Sequence, residues 1–194
     1  MEKDPLDKDK IKKMIGDIEN NFQRILNIIF FQRVYYIKDS DAIFTYAKPE
    51  ELVLDLKNLF EDRLTKKGIT LKIENAIGPG EPFILNKFLI LRSISYLIQN
   101  SIESMTLDSL EVSNAISIYL EKNGDKLLIK VSDNGKKISE DVVKTMFNPF
   151  VSTKDDLTSM GLGLSLVVEI LQKIGATIKF QQNGETKEFL IEFF

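Results

Sequence analysis

The chain has 194 residues, of which 43% are hydrophobic and 28% are charged, and this composition is typical of a globular domain. Its net charge of -3 gives no support for a nucleic-acid partner. The absence of cysteine and histidine excludes disulfides, thiolate zinc sites and catalysis by a histidine of this chain. The first residues lack the apolar core of a signal peptide, and the longest apolar run is too short to span a membrane. We therefore expect a cytoplasmic location, either as a separate protein or as the cytoplasmic part of a membrane-bound one.

The first predicted element is a helix over residues 8–36 that carries a heptad seam. The seam consists of Ile11, Ile15, Ile18, Phe22, Ile25 and Ile29, spaced at steps of four and three residues. This spacing is typical of a coiled coil or a small helical bundle, so we predict a homodimer through this helix. The alternative is a helix packed on its own domain. A polar stretch at 38–41 predicts a linker, which divides the chain into a helical segment, 1–43, and a domain, 44–194.

Helices and strands alternate along the rest of the chain. Pro49 and the two acids after it predict a helix start. The inner face of that helix is predicted to carry Leu52, Leu56, Leu59, Phe60 and Leu64. A second helix, 86–105, should bury Phe88, Leu91, Ile94, Ile98 and Ile102, and a third covers 162–174. Strands are predicted at 43–47, 69–74, 115–121, 127–132, 177–182 and 188–193, the last four as two hairpins around Asn-Gly turns. The order predicts an α+β fold.

Three segments of this domain carry candidate chemistry. Asp133 follows a predicted strand and begins Asp-Asn-Gly, which either accepts a hydrogen bond from a ligand amine or makes an ordinary turn. Asn100 lies in an apolar helix, where its carbonyl oxygen suits a hard cation such as Mg²⁺ or belongs to a satisfied buried amide. Gly161 and Gly163 open a helix whose free N–H groups can bind phosphate; alternatively, they form a flexible turn.

A fourth segment combines aromatic and basic residues. Phe147-Asn148-Pro149-Phe150 is followed by Ser152-Thr153-Lys154. The aromatic side chains would anchor the base of a mobile loop, and the lysine would reach a phosphate as a point charge. The alternative is a hydrophobic plug beside a solvated lysine. Each of the four signals is weak alone, but their order and spacing are specific.

In this order the four segments resemble the N box, first glycine box, F box and second glycine box of sensor histidine kinase catalytic domains. They lie at residues 96–101, 133–138, 147–150 and 161–164, and the resemblance covers roughly residues 44–194. The wider superfamily includes the gyrase-type ATPases. The resemblance implies a two-layer α/β sandwich of the Bergerat type, in which a mixed sheet packs on three helices after the long N-terminal helix.

The resemblance also implies a site for ATP or ADP with Mg²⁺. Asp133 would accept a hydrogen bond from the adenine amino group, and Asn100 would coordinate Mg²⁺. Residues from about 136 to 160 would form a lid over the nucleotide. The other implied nucleotide-binding residues are Gly135, Ile138, Phe150, Thr153, Lys154, Gly161, Leu162, Gly163 and Leu164. The resemblance assigns no catalytic residue.

Three residues depart from the family pattern. Lys137 replaces the second glycine of Asp-x-Gly-x-Gly, at a cost of about 1 kcal/mol or more if the position needs a positive φ. Ser159 stands where the second glycine box often begins with glycine. Tyr96 stands where gyrase-type ATPases carry a glutamate general base and many histidine kinases an asparagine. A tyrosine cannot act as a base at neutral pH, so rapid ATP hydrolysis is not expected.

We interpret the chain as the ATP-binding catalytic module of a two-component sensor histidine kinase. It would transfer the γ-phosphate of Mg-ATP to a histidine outside this chain, on a partner domain, and serve a response regulator. Asp17 stands where an acceptor histidine would fall. Because the chain has no histidine, it is either a fragment without the acceptor helix or a natural histidine-free protein that acts on a partner's histidine or carries out no phosphotransfer. The alternative is a degenerate domain that acts as a dimeric scaffold or phosphotransfer adapter without ATP turnover. The long helix argues against a serine kinase, and Tyr96 argues against a gyrase-like ATPase.

Overall fold

Five helices and seven strands form the part of the chain that the structure describes. The computed structural model describes residues 7–36, 44–78, 82–105, 113–124, 126–152 and 161–193. The helices are α1 (Lys8–Tyr36), α2 (Pro49–Thr65), α3 (Lys87–Ser104), α4 (Glu140–Thr145) and α5 (Gly163–Lys173). The strands are β1 (Thr45–Ala47), β2 (Thr70–Asn75), β3 (Phe83–Leu85), β4 (Ala115–Asn123), β5 (Lys126–Asp133), β6 (Ala176–Asn183) and β7 (Thr186–Phe193). The predicted linker at 38–41 lies outside the described residues.

Five of the strands form one mixed sheet in the order β2-β4-β5-β7-β6. β2 runs parallel to β4, and every other pair of neighbours is antiparallel. The β4–β5 and β6–β7 hairpins are those predicted from the Asn-Gly turns. Gly124 and Gly184 at these turns have φ values of 63° and 59°, a conformation that glycine adopts at little cost. Both hairpin predictions are therefore confirmed.

Three helices, α2, α3 and α5, pack on one face of the sheet and bury a continuous apolar core. α2 starts at Pro49 with two acids in its first turn, as the sequence predicts. α3 is capped by Asn86, whose side chain accepts a hydrogen bond from the Leu89 N–H at 3.1 Å. The predicted α+β sandwich, preceded by a long helix, is thus confirmed. Among the described residues, none of the helices combines the length and apolarity needed to cross a membrane.

Two of the predicted core residues are wrong. Leu59 is 52% exposed. The buried residues of α2, including Leu56 and Phe60, mostly lie four positions apart, and Leu59 falls outside this series. Phe88 is 66% exposed because it lies two residues before the buried Ile90, about 200° around the helix. Both residues have apolar neighbours at helical spacing, so the sequence pattern alone places them on the inner face.

Two short elements were not predicted. β3 pairs antiparallel with β1 in a separate two-stranded sheet, with Thr45 opposite Leu85. α4 falls inside the segment predicted as the lid, and Glu140 and Asp141 lie in its first turn. Because β3 has three residues and α4 has six, neither is long enough to repeat its hydrophobic period several times, and a reliable prediction needs such repetition.

Candidate nucleotide-binding site

Asp133 is the centre of the first part of the site. It is the last residue of β5, it points toward the helical layer, and it is only 3% exposed. Its Oδ1 accepts the Gly135 main-chain N–H at 2.8 Å, and its Oδ2 accepts the Ser101 hydroxyl at 2.8 Å. Lys187 of β7, directly opposite in the sheet, places its Nζ 3.0 Å from Oδ1. The carboxylate is therefore held in one orientation by donors from three elements.

Gly135 lies against the C-terminal turn of α3. A Cβ atom at this position would stand 2.1 Å from Ser104 Oγ and 3.1 Å from the Ser104 carbonyl carbon. The next residue, Lys136, donates its main-chain N–H to the Ser104 carbonyl oxygen at 2.9 Å. A side chain at this position would therefore disturb the close approach of the β5 exit to α3, which glycine allows. The role of Gly135 in binding a nucleotide stays a prediction.

Asn100 and the start of α5 form the second part of the site. A Cβ atom on Gly163 would stand 3.6 Å from Asn100 Oδ1, so the amide lies directly against the first residue of α5. Leu162, the N-cap residue, has no side-chain acceptor for the free N–H groups of the first turn. Within the described residues, the structure thus brings a half-buried amide oxygen next to helix N–H groups that Leu162 does not cap, a combination suited to phosphate and a hard cation.

Gly161 joins this helix start to the segment predicted as the lid. It has a φ of 62°, and its carbonyl oxygen accepts the Phe150 main-chain N–H at 2.9 Å. A Cβ atom on Gly161 would stand 2.5 Å from the Val151 carbonyl oxygen and 2.6 Å from the Phe150 carbonyl carbon. Phe150 itself has a φ of 66° and is 75% exposed. The backbone at the base of the lid is therefore packed tightly and carries a strained residue.

The remaining predicted site residues are less central. Ile138 is partly buried, and its main-chain N–H donates to Gln182 Oε1 at 2.9 Å, which joins the start of the lid to β6. Leu162 is buried, and Leu164 packs against the core. Thr153 and Lys154, and also Ser159, lie outside the described residues.

Two departures from the family pattern have structural explanations. Phe150 is the one described non-glycine residue with a positive φ, so Lys137 carries no such strain. Instead, Lys137 Nζ lies 2.9 Å from Glu185 Oε1 in the β6–β7 turn. Tyr96 is buried, and Arg92 donates to its hydroxyl at 3.1 Å. Burial raises the pKa of Tyr96, only partly opposed by Arg92, so its phenol stays protonated at neutral pH.

Sequence reasoning missed three residues around Asp133. Ser101 and Ser104 lie one helical turn apart on α3, and Lys187 occupies β7. Every second residue of β7 from Lys187 onward is buried, and the others on this face are Phe189, Ile191 and Phe193. Lys187 therefore lies on the apolar face of the strand. A lysine in an otherwise apolar series predicts a buried partner carboxylate, and this signal was available in the sequence.

The match to known protein families agrees with this geometry. Residues 87–193, more than half of the chain, match the family described as histidine kinase-, DNA gyrase B-, and HSP90-like ATPase. The chain belongs to this family. Domains of this family bind ATP, and the matched range contains Asn100, Asp133 and the start of α5.

Sensor kinases are among the similar proteins. The C4-dicarboxylate transport sensor protein DctB of Rhizobium meliloti is 30% identical over 142 residues, which cover 73% of this chain and 21% of DctB. The autoinducer 2 sensor kinase/phosphatase LuxQ of Vibrio harveyi is 22% identical over 66% of this chain and 15% of LuxQ. The chain therefore matches only 15–21% of the length of these two relatives.

Solved histidine kinases share the fold. The Acinetobacter baumannii histidine kinase AdeS superposes with a TM-score of 0.71 at 20% identity, covering 96% of this chain and 84% of AdeS. The histidine kinase ThkA, in complex with the response regulator protein TrrA, gives a TM-score of 0.72 at 23% identity over 99% of this chain and 52% of ThkA. These similarities support the fold assignment.

Proposed function

We propose that this chain is the ATP-binding catalytic module of a sensor histidine kinase and presents the γ-phosphate of Mg-ATP to a histidine outside the chain. The observation that supports this most is the convergence of the four motif segments on one end of the helical layer. Asp133 at the end of β5 supplies a buried acceptor for a base, and Asn100 with the start of α5 supplies a phosphate and cation site.

The two parts of the site suit opposite ends of a nucleotide. A buried carboxylate accepts a hydrogen bond from the exocyclic amine of adenine, because Oδ2 of Asp133 retains acceptor capacity beside Ser101. At the other end, the first-turn N–H groups of α5 favour the negative charge of phosphate. ATP bound in this way would be oriented mainly by backbone groups and by Asp133 and Asn100.

The residues present fit one Mg²⁺ ion held mainly by the nucleotide. Mg²⁺ is usually bound through one or two protein oxygens together with phosphates and water. Asn100 offers one such oxygen beside α5, and no cluster of three acidic residues that could form an all-protein cage occurs among the described residues. When bound, the metal neutralises charge that develops on the transferring phosphoryl group.

Hydrolysis of ATP by this chain alone is expected to be slow. Tyr96 occupies the position of a general base, but a tyrosine phenol is already protonated at neutral pH, and burial raises the pKa of Tyr96 further. Phosphoryl transfer depends mainly on positioning and electrostatic stabilisation, and the attacking group would be the histidine of a partner domain. The DctB, LuxQ and ThkA similarities support a two-component role, with a response regulator as the later partner.

The decisive experiment is a calorimetric titration with ATP in the presence and absence of Mg²⁺. Asn100→Ala is expected to lower the affinity for Mg-ATP by at least about tenfold, because the only proposed protein ligand of the metal is lost. The affinity for ATP in EDTA should change little, since Asn100 would contact the metal and not the base. The ratio of these two affinities is the quantity to compare between wild type and variant.

Gln99→Ala provides a matched control on the same helix. Gln99 accepts from Arg63 Nη2 at 2.8 Å and donates to Glu103 Oε1 at 2.6 Å, so its amide is engaged away from the start of α5. This variant should bind Mg-ATP like wild type. No binding of ATP by the wild-type chain at millimolar concentration would contradict the proposed function.

The apolar stripe of α1 supports a homodimer. Ile15, Ile18, Phe22, Ile25 and Ile29 of the predicted seam are between 48% and 65% exposed in the single chain. Such a stripe of large apolar side chains is typical of an interface that a second helix covers. We therefore propose that two copies of the chain associate through α1.

Ile18→Asp with Phe22→Asp should convert the dimer to a monomer, because two charges would be buried in the seam. Analytical ultracentrifugation measures the change. Lys13→Asp with Asp17→Lys is the matched control, because both residues lie on the outer face of the helix, away from the seam and from the positions that flank it, and this variant should leave the dimer intact. A wild-type chain that is monomeric at micromolar concentration would refute the dimer.

One observation favours a second candidate function, the silent scaffold. Lys187 neutralises Asp133 internally, which weakens the carboxylate as an acceptor for a ligand amine. The scaffold would need the dimer helix and no nucleotide. The same titration separates the two functions, because the scaffold requires no ATP binding.

A further inference from the structure

The carboxylate that we propose as the acceptor for a base is already paired with a cation of the chain itself. Lys187 Nζ lies 3.0 Å from Asp133 Oδ1 and donates to Ser104 Oγ at 2.6 Å. The side chains of Lys187 and Asp133 are 3% and 2% exposed, so solvent and salt screen the pair little. An ammonium group therefore stands where the amine of a ligand is expected.

The strand register produces this arrangement. Lys187 of β7 lies directly opposite Asp133 of β5, and it is on the same face of β7 as the buried Phe189. Because alternate residues of a strand point to opposite faces, the side chain of Lys187 is directed into the helical layer and not to the outer face of the sheet. The position of the ammonium group is thus a consequence of the fold.

The ammonium group and the amine of adenine are competing donors. Both offer N–H groups to a carboxylate oxygen, but the ammonium is charged, and a hydrogen bond between two ions is the stronger of the two. Among the described residues, Asp133 Oδ1 also accepts the Gly135 N–H, and Oδ2 accepts the Ser101 hydroxyl. An incoming amine must therefore displace Lys187 or bind the remaining site on Oδ2 of a carboxylate that Lys187 has neutralised.

We propose that Lys187 determines the affinity and base specificity of the nucleotide site, because its ammonium group competes with the adenine amine for Asp133. This inference rests on the proposed nucleotide-binding function of the same site. Opening the pair to admit a base costs free energy, since it separates two buried charges, and this cost lowers the affinity for ATP. Recognition of the amine then contributes little in the wild-type chain, and contacts to phosphate and metal supply most of the affinity.

The test compares Mg-ATP with Mg-purine riboside triphosphate, which lacks the 6-amino group, in calorimetric titrations of the full chain. The wild-type chain is expected to bind the two nucleotides with Kd values within about threefold of each other. Lys187→Ala removes the ammonium group and the stem that carries it. In this variant the Kd for ATP should fall by at least about tenfold, because the amine gains a charged acceptor. The ratio of the Kd for the analogue to the Kd for ATP should rise by about tenfold or more, because the analogue leaves that acceptor unpaired.

The ratio separates competition for Asp133 from a structural role of Lys187. A loosened domain would change the affinity for both nucleotides together and leave the ratio unchanged. Lys130→Ala is the matched control, since Lys130 of β5 also pairs with a carboxylate, at 2.8 Å from Glu121, but lies on the opposite face of the sheet. This control should keep both Kd values. Lys187→Thr retains a hydroxyl donor for Asp133, should raise the ratio in the same direction, and decides the question if Lys187→Ala does not fold.

The outcomes distinguish this inference from the proposed function. A wild-type chain that binds ATP more than about tenfold more tightly than the analogue would overturn the role of Lys187 and leave the kinase proposal intact. The same conclusion follows if a folded Lys187 variant keeps the wild-type ratio. ATP binding that occurs only in the Lys187 variants would support the competition and contradict the proposed function of the wild-type chain. Binding by neither the wild-type chain nor the variants would overturn both.

Discussion

Replacing Asp133 by alanine is expected to destabilise the folded chain by about 3–5 kcal/mol, which is a large part of the stability of a domain this size. The reason is Lys187, whose ammonium group would remain buried at 3% exposure without the carboxylate that lies 3.0 Å away. The Ser101 and Gly135 donors would also lose their acceptor. Denaturant unfolding followed by circular dichroism measures the loss.

The double variant Asp133→Ala with Lys187→Met tests this explanation. If the unpaired lysine causes the loss, removing its charge should recover most of the stability, and the double-variant cycle should show a coupling of at least about 2 kcal/mol. Equal and additive losses in the two single variants would contradict the explanation. They would mean that the pair contributes no more than two independent polar groups.

This result bears on how nucleotide binding is tested. Loss of ATP binding in Asp133→Ala would not separate a missing base acceptor from an unfolded domain. Asn100 is half-buried and lies beside glycine, so its substitution removes a proposed ligand without leaving a buried charge. Asn100→Ala is therefore the better variant for testing the function.

Much of the fold could be predicted because its elements carry strong local patterns. α1 has the predicted bounds, and both hairpins form around the predicted turns. The three helices of the helical layer were also predicted. α3 and α5 have apolar residues at helical spacing, and α2 begins at a proline. The parallel pairing of β2 with β4 could not be predicted, because it joins segments separated by α3 and no local turn encodes it.

Only part of the candidate site was predicted, because a sequence motif identifies residues that lie at fixed spacing along the chain. Asn100, Asp133 and Gly163 were found because they belong to motifs with fixed spacing. The structure brings Asn100 beside Gly163, but their contact with a nucleotide stays a prediction. Lys187 was missed because it lies 54 positions after Asp133, and only the strand register places the two side chains opposite each other. A motif describes neighbours along the chain, whereas this ion pair depends on pairing across the sheet.

Lys137 shows how a departure from a motif can be accommodated. The family pattern has glycine there, but the backbone at this position does not have a positive φ. The side chain extends to Glu185 instead, with 52% of its surface exposed, so the ion pair adds little stability. The substitution is therefore a weak argument for a silent domain, and the neutralised Asp133 is a stronger one.

Gly161→Ala is expected to reduce ATP affinity by more than about tenfold and to destabilise the domain by about 1–3 kcal/mol. The new Cβ atom would stand 2.5–2.6 Å from backbone atoms of Phe150 and Val151, which cannot move aside as a flexible side chain can. The 2.9 Å hydrogen bond from the Phe150 N–H would be lost as the two segments separate. Because α5 begins two residues later, the first-turn N–H groups that we propose to bind phosphate would move with them. Calorimetry and thermal unfolding measure the two effects.

Gly184→Ala is the matched control, since it separates backbone strain from the clash. Gly184 has a φ of 59°, close to the 62° of Gly161, but a Cβ atom there has nothing within 4 Å. This variant should show only the cost of a left-handed alanine, about 1–2 kcal/mol, and should bind ATP like wild type. If Gly161→Ala lost no more affinity than Gly184→Ala, the packing of Gly161 against the base of the lid would have no role in nucleotide binding. A larger loss at Gly161 alone would show that this contact holds the start of α5 in its binding geometry.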